Sequence, residues 1–205
     1  MEQSFWAFID SLEFDEDGVL SVFKYTKLDN SAEIVLLSKC EGQDRYWKIP
    51  VEYIVESYIE QEWAHYCDTS QEDIRLLQYT EVAYSLYFNN TGSSANNLAR
   101  KIYDLHINEF DRLLPIEKYI HGNLFETCSQ KYGLFARGPE TIISHYKNLL
   151  EQEDIDCSLV IHGRKKLWSD NKQGEKFEDL EIFCVGDSYF IGRDFDFETF
   201  GMRKI

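Results

Sequence analysis

The stretch Pro50-Val51-Glu52-Tyr53-Ile54-Val55-Glu56-Ser57-Tyr58-Ile59-Glu60 admits two readings, and the fold turns on which one holds. Val51, Ile54, Val55, Tyr58 and Ile59 follow the i, i+3, i+4, i+7, i+8 spacing of a helix face. Proline suits the first helical position, because the N–H it lacks would have no intrahelical partner there. The spacing therefore predicts a helix over 50–59. The rival is a strand, favoured by the β-branched residues Val51, Ile54, Val55 and Ile59. Under either reading Glu52, Glu56 and Glu60 share a face. A four-residue step does so in a helix, and any even step does so in a strand.

Upstream, residues 4–13 read as a strand or short helix and 19–26 as a strand, with a turn signal at Asp15-Glu16-Asp17-Gly18. Residues 33–40 read as a strand that turns at 41–44 and returns at 45–49. Downstream, 80–88 reads as a strand and 89–92 as a loop, with Ser93 or Ser94 able to cap a helix that runs to about Phe110. Leu98, Ile102 and Leu105 are its inward positions. Pro115 interrupts, and a second helix is expected over 116–129. Gly138-Pro139-Glu140 opens a third helix to about Gln152, facing inward through Ile142, Ile143, Tyr146, Leu149 and Leu150. Strands follow at 157–162 and 180–185, and Gly186-Asp187-Ser188 joins the latter to a partner at 189–193. Strands, then helices, then strands again, without regular βα alternation, predict an α+β fold. Its sheet is largely antiparallel, with a central group of three to four helices. No linker-like tract divides the chain, so 1–205 reads as one domain, with an acidic β-rich lobe over 1–80 and a helical, then β, lobe over 81–205.

The 205 residues hold 37 Asp and Glu against 21 Lys and Arg, a formal charge of −16. Such a chain repels phosphate, which argues against direct nucleic-acid binding, and it is repelled by anionic membrane surfaces. No run approaches the roughly 18–20 apolar residues of a spanning helix. With no basic, apolar leader visible, a cytoplasmic protein is expected.

Motifs for chemistry are sparse. The cysteines, Cys40, Cys67, Cys128, Cys157 and Cys184, contain no Cys-x-x-Cys pair and read as small, mostly buried hydrophobes. No His-Glu-x-x-His occurs, and His65-x-Cys67 supplies two ligands without a second pair. The acidic turn from Glu13 resembles the start of a calcium loop, but its twelfth position is Lys24, a cation where the ion needs an acid. There is no Gly-x-Ser-x-Gly elbow, and Cys67 and Cys128 have histidines (His65, His121) near only in sequence. Asp194-Phe195-Asp196 offers a metal-dependent enzymatic alternative, two carboxylates sharing a divalent ion, beside a cysteine enzyme whose triad would assemble only in space. The alternation of Phe195 and Phe197 with Asp194, Asp196 and Glu198 is equally that of a half-buried edge strand. A basic cluster, Arg164-Lys165-Lys166, precedes Trp168. No cofactor is implied.

Charge is the stronger signal. Residues 1–80 hold 17 acids and 6 bases, against 20 and 15 in 81–205. Glu52, Glu56, Glu60, Glu62, Asp68, Glu72 and Asp73 are interrupted by no Lys or Arg, and Tyr53, Tyr58, Trp63 and Tyr66 are interleaved. Carboxylates steer a basic partner, and aromatic side chains anchor complexes. The expected function is a non-enzymatic acidic binding protein. Its concrete form is an immunity-type inhibitor of a basic bacterial toxin or nuclease, with Glu52, Glu56, Glu60, Glu62, Trp63, Tyr66, Asp68, Glu72 and Asp73 as the contact set. A DNA mimic, its carboxylates standing in for phosphates, differs only in the class of partner.

Overall fold

The computed structural model describes residues 4–12, 19–40, 43–90, 94–162 and 179–203. In chain order the elements are helix α1 (Phe5–Ile9), strands β1 (Leu20–Leu28), β2 (Ser31–Cys40), β3 (Gln43–Tyr58) and β4 (Cys67–Ser70), helix α2 (Leu77–Thr80), strand β5 (Ala83–Asn89), helices α3 (Ala95–Phe110) and α4 (Leu124–Ser129), strand β6 (Tyr132–Pro139), helix α5 (Glu140–Gln152), and strands β7 (Asp156–Ile161), β8 (Glu181–Val185), β9 (Ser188–Phe195) and β10 (Glu198–Arg203). Every pairing between these strands is antiparallel. The fold is α+β, as the order of patterns predicted. It forms two compact units, one of Met1–Asp73 with Asp179–Ile205 and one of Ile74–Glu178. The expected turn at 15–18, the calcium-like turn from Glu13 and the Arg164–Trp168 cluster lie outside the described residues.

The first unit is a sheet in the order β1-β2-β3-β9-β8-β4, with β10 also paired to β3. β3 organises it. One edge pairs with β2 from Gln43 to Val51. The other pairs first with β10 (Asp44 to Lys48) and then with β9 (Val51 to Tyr58). Strand alternation turns Ile34 and Leu36 of β2, and Trp47, Ile49 and Val51 of β3, into one buried cluster. Helix α1 closes over it, with the Phe5 ring edge-on to Trp47 at 5.2 Å and stacked on Phe197 at 4.8 Å. Ser38 is the polar element here. It accepts the Trp47 indole N–H at 3.3 Å and donates to the Arg45 carbonyl at 3.2 Å, so neither buried group is left unpaired.

The helix expected over 50–59 is therefore corrected: this segment is the second half of β3, the rival reading. The physical reason is a change of core-facing parity in mid-strand, which comes just ahead of a register shift between Ile54 and Glu56. The core-facing positions step from Val51 to Ile54 rather than by two. A step of three is what a helix face would show.

The second unit is a three-stranded sheet, β6-β5-β7, with α3 and α5 packed on one face. Leu86 and Phe88 of β5 meet Leu98 and Ile102 of α3 and Ile142, Tyr146 and Leu150 of α5. The continuous helix expected over 116–129 is also corrected. A 3₁₀ turn at Ile116–Lys118 and the short α4 are separated by Gly122 at φ +76°. Asn123 then restarts the helix, its side chain accepting the Phe125 and Glu126 N–H groups at 2.9 and 3.3 Å.

Candidate partner-binding cleft

The division of the chain is also a division of charge. The first unit holds 23 Asp and Glu against 8 Lys and Arg, a net of −15. The second holds 14 against 13, a net of −1. All nine residues of the expected contact set belong to the first unit.

Four of the nine, Glu60, Glu62, Trp63 and Tyr66, line one cleft of about 180 Å³, and Asp187 and Ser188 of the β8–β9 turn complete it. The segment from Glu60 to Tyr66 connects β3 to β4 and is fastened at three points. The buried Ser188 hydroxyl accepts the Glu60 N–H at 2.9 Å and donates to the Glu60 carbonyl at 3.0 Å. Ala64 bridges to Leu20 of β1. The Gly186 N–H donates to the Tyr66 carbonyl at 2.9 Å. Gly186 takes φ +55°, and a Cβ there would lie 3.1 Å from the Ala64 Cβ, so glycine lets the turn sit this close.

Three of the lining residues carry carboxylates (Glu60, Glu62, Asp187), and among the described residues no Lys or Arg lines the cleft. Tyr66 is half exposed. The Lys39 ammonium lies 4.9 Å from the centre of the Trp63 ring, so this indole already holds a cation from its own chain. The volume is below the roughly 300–1,000 Å³ of small-molecule sites. It suits the head of one side chain, and the carboxylates and aromatic rings suit a cationic one.

The remaining five residues lie elsewhere on the unit. Glu52 is exposed on β3, and the register shift separates it from Glu56, whose carboxylate accepts the Tyr189 hydroxyl at 2.7 Å. Glu60 lies beyond the end of β3, so the three-carboxylate face expected of 52, 56 and 60 is not one strand surface. Asp68, on β4, accepts the Thr69 N–H at 2.8 Å. Glu72 is exposed, and Asp73 is the last residue before the second unit. Asp187 and Ser188 were not in the expected set. They stand well over a hundred residues from Glu60 and read locally only as a hairpin turn.

The other candidate chemistries gain little. Asp194 takes φ +55°, and the core-facing parity changes across it, from Phe190 to Phe195 and Phe197. The plain alternation that would aim Asp194 and Asp196 together does not run through this point. Among the described residues no cluster of three or more His, Cys, Asp or Glu could hold a metal ion. Cys128 is buried, and burial pushes its thiol up to about 11. Burial raises the Cys67 thiol as well, further raised by Cys184 and Asp68. Thiols held protonated in this way are poor nucleophiles. No described helix is long and apolar enough to cross a membrane. Compared with protein families, curated proteins and solved structures, the chain matches none.

Proposed function

We propose that this chain is a non-enzymatic acidic binding protein whose first unit docks onto a basic protein. The most concrete form is an immunity-type inhibitor that covers the cationic groove of a toxin or nuclease. The observation that carries the reading is the partition of charge: −15 on one unit, −1 on the other. Solubility alone gives no reason to load one unit and leave its neighbour neutral. A concentrated field raises the association rate with a basic partner, and a lysine or arginine of that partner is the chemistry the Glu60–Asp187 cleft accepts.

The test is affinity capture from the native source, washed at low and then high salt, with wild-type chain and the Glu60→Lys/Glu62→Lys variant as baits. A basic protein held by the wild type, released by salt and lost with the variant is the expected result. Its identity separates a toxin from a DNA-binding protein, the partner a DNA mimic would take. Equal capture by both baits would remove the cleft from the reading, and no salt-sensitive basic partner would remove the reading itself.

A further inference from the structure

Among the described residues β7 is an edge of the second unit's sheet. Leu159, Val160 and Ile161 on it are 36%, 45% and 60% exposed. Exposed edges in natural sheets usually carry a lysine, a proline or another charge that blocks pairing. From Cys157 to Ile161 there is none. The His162 N–H donates to the Ala83 carbonyl of β5 at 3.0 Å, so in the antiparallel pattern residues 158 and 160 also turn their backbone groups toward β5. Cys157, Leu159 and Ile161 turn theirs outward.

A polar relay ends at the same edge. Arg137 Nε donates to the buried Ser85 Oγ at 3.1 Å, and Ser85 Oγ lies 2.6 Å from His162 Nε2. The guanidinium only donates, and the hydroxyl it donates to keeps a second lone pair and a proton with which to meet the imidazole.

We propose that β7 pairs with β7 of a second copy of this chain, antiparallel and centred on Leu159, joining two three-stranded sheets into one of six. In this register Leu159 opposes Leu159, Cys157 opposes Ile161, Ser158 opposes Val160 and Asp156 opposes His162. The outward backbone groups of 157, 159 and 161 meet as the hydrogen-bonded pairs. The Asp156 carboxylate meets the His162 imidazole on the face where the relay ends. The second unit's net charge of −1 lets two copies meet here, whereas two surfaces of −15 would repel.

The test is sedimentation of the full chain over a dilution series, with register read by cysteine cross-linking. The expected result is a monomer–dimer equilibrium that Val160→Lys weakens by about tenfold or more, with the unfolding midpoint of the dilute protein unchanged. Under mild oxidation Leu159→Cys should give a disulfide-linked dimer, since directly opposed residues of a hydrogen-bonded pair lie within disulfide reach. Val160→Cys alone should cross-link no more than wild type, but should do so when mixed with Ser158→Cys. A single monomeric species at every concentration, or a dimer indifferent to Val160→Lys, would overturn the proposal. So would cross-linking of Leu159→Cys to a different, co-purifying chain, which would assign the edge to another partner.

Discussion

Replacing Ser188 by alanine should loosen the wall of the cleft while leaving the aromatic core of the first unit in place. One hydroxyl, 2% exposed, satisfies both backbone groups of Glu60, the residue that leads from β3 into the cleft. A net hydrogen bond contributes about 1 kcal/mol, and a buried group left without a partner costs about 1–3 kcal/mol. Glu60 is only half-buried, so water recovers part of the loss. The expected cost is about 1.5–2 kcal/mol, the two hydrogen bonds with little added penalty. Hydrogen exchange reads this locally. At about 1.4 kcal/mol per decade, the Glu60 amide should exchange roughly ten to thirty times faster. The Ala64 amide, held by the Leu20 carbonyl, should change less. Urea unfolding followed by tryptophan fluorescence should lose the same free energy without a change of slope. If Glu60 exchange and the urea midpoint both stay at wild-type values, Ser188 does not hold this segment, and the cleft described above is not a fixed feature.

Gly192→Ala should destabilise the first unit by about 1–3 kcal/mol in thermal unfolding, because the new Cβ would lie 2.5 Å from the Tyr53 carbonyl oxygen and 2.9 Å from Val51 Cγ1; a wild-type melting temperature would mean that β3 and β9 are not so closely apposed. In the second unit, His106 is buried, 2.5 Å from the Leu114 carbonyl through Nε2 and 2.7 Å from the Tyr146 hydroxyl through Nδ1. Burial lowers its pKa, against smaller opposing effects of the Leu114 carbonyl and Glu117. The unfolded chain then takes up a proton at a pH where the folded one refuses it. Stability from this group is complete above about pH 6.5 and falls as pH drops below it, a slope that urea titrations should show in wild type and find reduced in His106→Gln. Cys128, its thiol near 11, should resist iodoacetamide in the folded protein at neutral pH and react once the chain is unfolded, as peptide mapping would record.

The elements that the sequence made legible are those whose periodicity is unbroken. α3 and α5 keep a 3.6-residue repeat through Leu98 and Ile102, and through Ile142, Ile143, Tyr146 and Leu150, and both lie where the pattern put them. β3 was ambiguous because its core-facing parity changes in mid-strand and turns a two-residue period into a three-residue step from Val51 to Ile54, and only its β-branched composition pointed to a strand. β6 went unseen because Gly133 and Gly138 dilute its strand character. Gly138 is there because a Cβ would lie 2.8 Å from the Tyr119 ring, a contact between residues distant in sequence. The same limit governs the cleft. The acidic, aromatic half from Glu60 to Tyr66 stands out in composition, whereas Asp187 and Ser188 reach it only through the pairing of β8 with β9. The confinement of the charge to one unit was half visible. A division at residue 80 gives −11 and −5, and moving the C-terminal strands to the first unit sharpens it to −15 and −1.

The discontinuity of the first unit sets an order of events at the ribosome. β3 emerges with β2 beside it, but β9 and β10, which cover its other edge, are the last strands made. At about 5–20 residues per second, that edge waits on the order of ten seconds for its partners. The second unit is contiguous and can close during the wait. The nascent sheet with its open edge is also the acidic one, and like charge on neighbouring nascent chains is a guard against their pairing while it stays unfinished.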